Sequence, residues 1–411
     1  MLTRLRNFLG IETRSAPAPS SWDLMRTGGI ETDAGVPVSP HIAENLSAVF
    51  ACVQIIAETV ATLPLVCYRR TGDRIRSPDP AHPVSRLFSG DPNENQTAPE
   101  FIEMMTAHCL LRGNSYAEIV RDTGGQPVQL VPFHPDWVSV VRFAGTRRVA
   151  YDVSMPEGGT RRLLPDEMLH LKDRSDDGIV GKSRLHRARE TFGTAAATER
   201  FAASMFRNGA ALSGVLSHPG EIGEEAATRL RKSFEQTYAG SDKAGKIAVL
   251  EEGLKWQAIS VSAEDAQMLE SRRLGVENIA RIYRVPPPVL GDLTNGSYSN
   301  VTELGRWFYA HTIQPWLVRW EKLIERSLFS EAGRASYEVE FDTDLLLRGD
   351  MLARFQSYRI AREIGLYNAN ELRQFEKQNP RTDPAGNEYF APANMQQEQT
   401  GAPKDTGAAN A

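Results

Sequence analysis

RARETFGTAAATERFAASMFRN, the run from Arg187 to Asn208, contains no proline and carries Ala195, Ala196, Ala197, Ala202 and Ala203 among good helix formers. Small side chains let a neighbouring helix approach closely, so the run predicts a helix suited to tight lateral packing. A compact β-α-β-β segment is predicted next, with elements at Ser213–Leu216, Glu224–Tyr238, Lys246–Leu250 and Lys255–Ser260, each bounded by glycine or proline. A second helix is predicted from Ala263 to Tyr283, where Leu269, Val276, Ile279 and Tyr283 recur at helical spacing and Glu277 and Arg281 stand four apart. Two helices therefore flank a small inserted module.

Toward the C-terminus, Arg284-Val285-Pro286-Pro287-Pro288 stops the second helix, because consecutive prolines lack helix N–H donors and impose extended geometry. Gly291 to Ser297 reads as a flexible loop, and Asn300 with Glu303 resembles a capping box opening a long helix to Phe329, with a kink expected at Pro315. Its aromatic face, Trp307, Phe308, Trp316, Leu317, Trp320 and Leu323, is the pattern of core packing. A strand at Val339–Asp342 and two short polar helices, Asp344–Tyr358 and Asn368–Glu376, separated by Gly365, complete this half.

Toward the N-terminus, a helix over 43–62 runs into a strand at Leu65–Tyr68 and a turn at Thr71-Gly72-Asp73. A helix from Pro99 to Leu111 leads through Gly113-Asn114 into a strand at Tyr116–Val120, Gly124-Gly125 turns the chain, and short strands follow at Val138–Val141 and Ala150–Val153. The order is α+β rather than a βαβ series. The first forty residues, with Ala16-Pro17-Ala18-Pro19, have the composition of a flexible arm, and the Gln-, Gly- and Ala-rich end has almost nothing to bury.

Composition narrows the function. At 411 residues and 41% hydrophobic the chain has ample apolar surface for a folded core. Cys52, Cys67 and Cys109 show neither metal-knuckle spacing nor disulfide density and read as buried small hydrophobes in a reducing cytoplasm. The start lacks the features of a secretory signal, and Leu46–Val66 carries Gln54, Glu58 and Thr59 mid-run, which suits a core helix rather than a membrane span. Net charge is −5, with arginine outnumbering lysine roughly four to one, and acid and base alternate along the chain. A dedicated duplex binder shows a basic domain or stripe; any DNA partner here is one the surface does not hold tightly.

Catalytic motifs fail on inspection. Gly178-Ile179-Val180-Gly181-Lys182-Ser183 ends like a phosphate-binding loop, but Asp176 stands where the first glycine is required, and its carboxylate would face the phosphates. The eight histidines form no HExxH and no paired ligand set, there is no GxSxG, and carboxylates such as Asp342 and Asp344 do not make a recognisable catalytic pair. No catalytic, cofactor-binding or metal-binding residue is therefore nominated, and a non-enzymatic role is expected.

The order of features resembles the portal proteins of tailed bacteriophages, in the branch with long non-contractile tails that also includes prophage and gene-transfer-agent portals. The resemblance covers about 41–392. It is carried by Ala48-Val49-Phe50-Ala51-Cys52-Val53 with Ile56-Ala57-Glu58-Thr59-Val60-Ala61, by Asp91-Pro92-Asn93 with Thr97, and by Leu111-Arg112-Gly113-Asn114-Ser115-Tyr116. Leu169-His170 with Gly178, Gly181 and Ser183 comes next, then Arg207-Asn208-Gly209-Ala210, Ile279-Ala280-Arg281 with Val285-Pro286-Pro287, Tyr298-Ser299-Asn300, and Gly365 with Asn370-Glu371-Leu372-Arg373.

The resemblance implies a portal fold with wing, paired stem helices, a small β-α-β-β clip insert and a helical crown. Transferred to this chain, it implies an N-terminal arm at 1–40, a wing at 41–186, a first stem helix at 187–210, a clip at 211–261 and a second stem helix at 262–285. A tunnel loop at 286–299, a long wing helix and strand at 300–343, a crown at 344–392 and a disordered tail at 393–411 follow. It implies a dodecameric ring at one capsid vertex, assembled in the host bacterial cytoplasm and carried in the virion, through which double-stranded DNA is packaged and ejected without sequence specificity. Its implied partners are the terminase large subunit, the head-tail adaptor and the major capsid protein, with no membrane and no cofactor.

Within that scheme, Thr294, Asn295, Ser297 and Tyr298 are candidate tunnel-loop contacts to DNA, and Arg229, Arg231 and Lys232 are candidate clip contacts to a partner. Twelve copies would carry about −60 in formal charge, which lets DNA slide where many phosphate-pairing cations would trap it. Two other readings compete: a packaging ATPase or nuclease, which predicts nucleotide binding lost on Lys182→Ala, and another head-completion protein such as an adaptor.

Overall fold

The computed structural model describes residues 11–12, 29–71, 75–144, 146, 148–207, 214–217, 223–225, 228–229, 232, 255–258, 262–291, 301–343, 351–376 and 378–390. The chain divides into two units, Met1–Asp342 and Thr343–Ala411.

The larger unit is built on two helices and the sheets they cover. The helix predicted over 43–62 is two: α1 (Pro40–Glu44), capped by Ser39, and α2 (Ser47–Ala61), separated by Asn45 and Leu46. The apolar run in α2 puts Val49, Cys52, Val53, Ile56 and Val60 in the core. β2 (Leu65–Thr71) follows and pairs with β3 (Ile75–Pro78), and α3 (Pro83–Ser89) leads toward α4 (Ala98–Arg112). Thr97 and Glu100 form a reciprocal capping box that starts α4, and Gly113, at φ 80°, ends it in the left-handed conformation that favours glycine. Phe101, Ile102, Met105 and Cys109 of α4 share the core cluster with the buried face of α2.

β4 (Asn114–Arg121) is the centre of a three-stranded antiparallel sheet between β5 (Pro127–Phe133) and β9 (Met168–Lys172). A second sheet runs in the order β1 (Ile11–Glu12), β6 (Val138–Phe143), β7 (Val149–Ser154), β8 (Thr160–Leu163). Tyr116, Phe133, Val138, Tyr151, Val153, Leu163 and Met168 close a smaller core between these two sheets.

The short α5 (Arg184–Arg187) opens the helical half and is followed by α6 (Arg189–Arg207) and α7 (Ser262–Tyr283), close to the two predicted helices. Of the β-α-β-β insert between them, β10 (Gly214–Ser217) and β11 (Lys255–Ala258) pair antiparallel, and residues 224–225, 228–229 and 232 are helical. The expected strand at Lys246–Leu250 and most of the expected helix lie outside the described residues.

The long helix differs from expectation at its irregular point. α8 (Val301–Phe308) passes into a π-helical segment, Tyr309–Ile313, before α9 (Gln314–Leu328) resumes. Gln314 N–H bonds the carbonyl of Tyr309, and Pro315 has no N–H with which to restore the ordinary pattern, so the wide turn precedes the proline instead of a kink at it. Phe308, Trp316, Leu317 and Trp320 are buried as core, and Trp320 Nε1 donates to Thr106 Oγ1 at 3.0 Å, while Trp307 stays 44% exposed. α10 (Glu331–Ser336) then delivers β12 (Tyr337–Phe341) to the edge of the β2–β3 pair. Cys52, Cys67 and Cys109 are all free and buried.

In the smaller unit, α11 (Met351–Glu363) runs five residues past the predicted end, and Gly365 at φ 73° turns the chain into α12 (Ala369–Phe375). Asn368 and Glu371 form its capping box, and Arg354 Nε meets Glu376 at 2.7 Å.

Candidate functional site

The sequence-nominated contacts fall mostly beyond view. Thr294, Asn295, Ser297, Tyr298 and Arg231 lie outside the described residues; Arg229 and Lys232 are exposed helical positions three apart, hence on one side of their helix.

What the described residues place together is the foot of the helix pair, where three separated motifs meet. Gly113 and Asn114 follow α4, His170 lies in β9, and Gly181-Lys182-Ser183 precedes α5. Asn114 Oδ1 accepts from Gly181 N–H at 2.7 Å and its amide donates to the Gly181 carbonyl at 2.8 Å. With that oxygen an acceptor, His170 Nε2 is the donor at 2.9 Å, and His170 Nδ1 is left to accept from Tyr151 Oη at 3.2 Å. Burial drives the His170 pKa down to about 3, with Lys172 adding to the effect, so the imidazole is neutral.

Backbones approach so closely here that side chains are excluded. A Cβ on Gly181 would collide with the Gly113 carbonyl oxygen and stand 2.9 Å from the Asp173 amide nitrogen. One on Gly113 would stand 2.5 Å from the Ser183 amide nitrogen. Of the two glycines in the phosphate-loop look-alike, Gly181 is therefore a packing glycine, while Gly178 has open space around it and sits at φ 75°. The loop also consumes its own donors: Ile179 and Val180 N–H both bond Asp177 Oδ1, and Ser183 Oγ caps α5 by accepting from His186 N–H. Lys182 faces Asp176 at 3.7 Å.

Asp173, immediately after β9, is the electrostatic hub, with its side chain only 7% exposed. Arg184 Nε meets one carboxylate oxygen at 3.0 Å and Arg319 Nη1 meets the other at 3.1 Å. Burial alone would raise its pKa, but the two guanidinium groups outweigh that and hold it below the ordinary carboxylate value. Arg184 also reaches the carbonyls of Ile282 and Tyr283 at 3.4 and 3.3 Å, capping the end of α7. One arginine thus ties β9, α5 and the last turn of α7. Arg284, directly after, has φ 60°, and its carbonyl accepts a hydrogen bond from Thr312 Oγ1 in the π-helical segment.

Above this foot α6 and α7 run antiparallel, since Phe192 meets Tyr283, Ala195 meets Gly275 and Glu199 pairs with Arg272. Gly275 would place a Cβ 3.9 Å from that of Ala195, an ordinary contact. Gly193 is closed over by Thr32, and Asp33 N–H donates to Glu190 at 2.9 Å, which anchors the segment Ile30–Val38 on α6. Farther up, Phe201 and Leu274 are exposed. Among the described residues no group of three or more His, Cys, Asp and Glu is placed to hold a metal ion, and no helix is long and apolar enough to cross a membrane. Asp173 and Arg319 were not singled out by sequence, and Arg284 only as part of the stop after the second helix; their distant spacing offered no signal.

Comparison with known proteins follows the same lines. The family described as "Phage portal protein" matches residues 47–376. The probable portal protein of Streptomyces phage phiC31 is 33% identical over 403 residues, spanning 94% of this chain and 86% of that protein. The portal protein of Enterobacteria phage HK97 is 31% identical, spanning 82% and 79% respectively. Among solved structures, a chain in the neck of an empty GTA particle computed with C6 symmetry superposes with a TM-score of 0.58 at 27% identity, covering 89% of this chain and 95% of that chain. A chain in the neck of a native GTA particle computed with C12 symmetry gives 0.58 at 25% identity, covering 92% and 99%.

Proposed function

This chain belongs to the phage portal protein family, and from that premise we propose that a dodecamer of it forms the ring at one capsid vertex through which double-stranded DNA is packaged and later ejected. The homologues, over most of the chain, support a portal role, and the C6 and C12 necks support a homo-oligomeric ring in a virion.

The observation that carries the reading from this chain is the antiparallel pair α6–α7. It joins the foot to the inserted segment, 208–261, and along its described seam Ala195 faces Gly275 beyond the Phe192–Tyr283 contact. Two thin helices that leave Phe201 and Leu274 in water are incomplete as a monomer and are finished by neighbours in a ring. In this scheme they are the stem, 211–261 is the clip, 286–299 is the tunnel loop and 344–392 is the crown. Arg229, Arg231 and Lys232 then face the terminase large subunit during packaging and the head-tail adaptor afterwards, and Thr294, Asn295, Ser297 and Tyr298 make weak, replaceable contacts to passing phosphates. The arm and wing meet the major capsid protein. No hydrolytic step is assigned to this chain; the packaging motor is a partner.

Electron microscopy of the purified protein with native mass in parallel tests the reading. Annular particles with an axial hole and a mass of twelve subunits are expected, and a stable monomer that binds ATP would overturn it. Deleting 213–260 separates the parts: rings should persist while partner binding is lost.

A further inference from the structure

We propose that the cavity at the foot of the helix pair is a phosphate-binding site. It measures about 420 Å³, within the rough 300–1,000 Å³ range of small-molecule sites, and lies between the loop after β9, the end of α7 and the π-helical turn. Its lining is strongly one-signed: Arg174, Lys182, Arg184, Arg187, Arg284 and Arg319 against the single carboxylate of Asp173. In a chain of net charge −5 this is a local inversion.

Among the described residues, four of these six cations meet a carboxylate of the protein and two do not. Asp173 is already taken by Arg184 and Arg319. Asp176, outside the lining, meets Arg187 at 2.6 Å and Lys182 at 3.7 Å. Arg174 and Arg284 have no ion-pair partner among the described residues, and Arg187 Nε is buried with no hydrogen-bond acceptor. Arg284 is held at φ 60°, a conformation an L residue adopts only at a cost, beside the carbonyl that Thr312 fixes. A strained arginine with no acid to meet among the described residues, lining the same cavity as an arginine whose Nε has no acceptor, points to a ligand that supplies acceptors.

Phosphate fits better than carboxylate. A carboxylate is planar and is satisfied by two guanidinium groups, one on each oxygen, as Asp173 shows. Arg174, Arg187 and Arg284 line the cavity from three separate elements, which suits the tetrahedral oxygens and closely spaced charges of phosphate groups. The loop's own backbone N–H groups are engaged internally, so recognition runs through side chains and not through a nucleotide-type cradle. That the phosphates are those of the DNA backbone rests on the channel reading; the cavity's chemistry does not.

The test compares the full-length protein with the double variant Arg174→Gln, Arg284→Gly and with Arg148→Gln as a control for charge elsewhere. Neither cavity residue makes an ion pair among the described residues, and glycine relaxes φ 60°, so the double variant should fold as well as the parent. Calorimetric titration with pyrophosphate should show binding weakened by about tenfold or more in the double variant, the loss of at least one charge-assisted contact, and unchanged in Arg148→Gln. Binding of a short duplex over a salt series should lose about two from its log–log salt slope if the ligand is the DNA backbone. Pyrophosphate binding lost with duplex binding unchanged would assign the site to free phosphate and remove the DNA source. Equal pyrophosphate binding in both proteins, or none in either, would overturn the site; if rings of the double variant then also fail to form, the cations face carboxylates of a second copy. Micrographs of the same samples keep the two claims apart, since loss of rings with retained pyrophosphate binding would strike the portal reading and spare the site.

Discussion

The foot of the helix pair and the pair itself are built on opposite principles. Around Gly113, Asn114, His170 and Gly181 the chain buries a closed set of polar contacts and brings backbones within reach of each other. The pair α6–α7 relies on small residues at its seam, keeps its Arg272–Glu199 bridge in solvent and exposes Phe201 and Leu274. A region of the first kind carries its own stability. A region of the second kind is a part whose stability is completed by assembly, and the half-buried Arg184 helps to join the two.

The largest effect should come from crowding the foot. Gly181→Val sets a branched side chain against the Gly113 carbonyl and breaks the Asn114 bridge, so a loss exceeding about 4 kcal/mol is expected, seen as insoluble protein or a collapsed denaturant midpoint. Next is Asp173→Ala, which leaves two guanidinium groups facing each other without their carboxylate. Removing one partner of a buried, paired charge costs about 3–5 kcal/mol, and here it should also loosen the α7 terminus, raising amide exchange in residues 280–284. If either variant melts like the parent, the foot does not carry its own stability.

The part of this foot that sequence made legible was negative. Asp176 at a glycine position ruled out the phosphate loop, but the reason Gly181 must be glycine lies in a carbonyl 68 residues earlier in the chain, at Gly113. The Asp173 hub was hidden for the same reason, because Arg184 and Arg319 are 11 and 146 residues away. Helices were readable where periodicity and caps agreed, as with Thr97 and Glu100 at α4. Strands were missed where burial or edge position erased alternation. β9 is buried on both faces and shows no period of two; β5 carries Pro127 and Pro132, tolerable only because it is an edge strand; β8 is a mostly exposed edge. The π-helical turn was visible as Pro315 but misplaced, since the missing N–H disturbs the turn before it.

A smaller effect, set by pH, also belongs to the foot side of the molecule. Burial drives His108 to about 3, with Arg112 and His134 adding to the effect, and His170 is likewise at about 3. Both are depressed, so the unfolded chain takes up protons the folded one refuses. Stability should be greatest above the ordinary histidine value of 6.5 and fall as pH drops toward 3, by up to about 1.4 kcal/mol per pH unit for each group. The depressed Asp173 adds its loss only below its ordinary 3.8. His108→Phe, which also removes a buried ring nitrogen with no partner, should flatten the slope of denaturant midpoint against pH between 7 and 5. An unchanged slope would mean that His108 is solvated.

The helix pair should respond weakly to the same kinds of change. Gly275→Ala adds a methyl at ordinary contact distance from Ala195 and removes a helix-interior glycine, so a gain of about 0.5–1 kcal/mol is expected with the ring mass unchanged. Arg272→Ala gives the cleanest comparison with Asp173→Ala, because both break an arginine–carboxylate pair of about the same length. The Arg272–Glu199 partners are 41% and 48% exposed, and water replaces what is lost. A change below about 1 kcal/mol, vanishing further in high salt, is expected by chemical denaturation of the monomeric protein. Should Arg272→Ala instead weaken the ring while leaving the monomer untouched, the bridge acts on how α6 and α7 are presented to the next subunit, and the slack seam is a feature of assembly and not of folding.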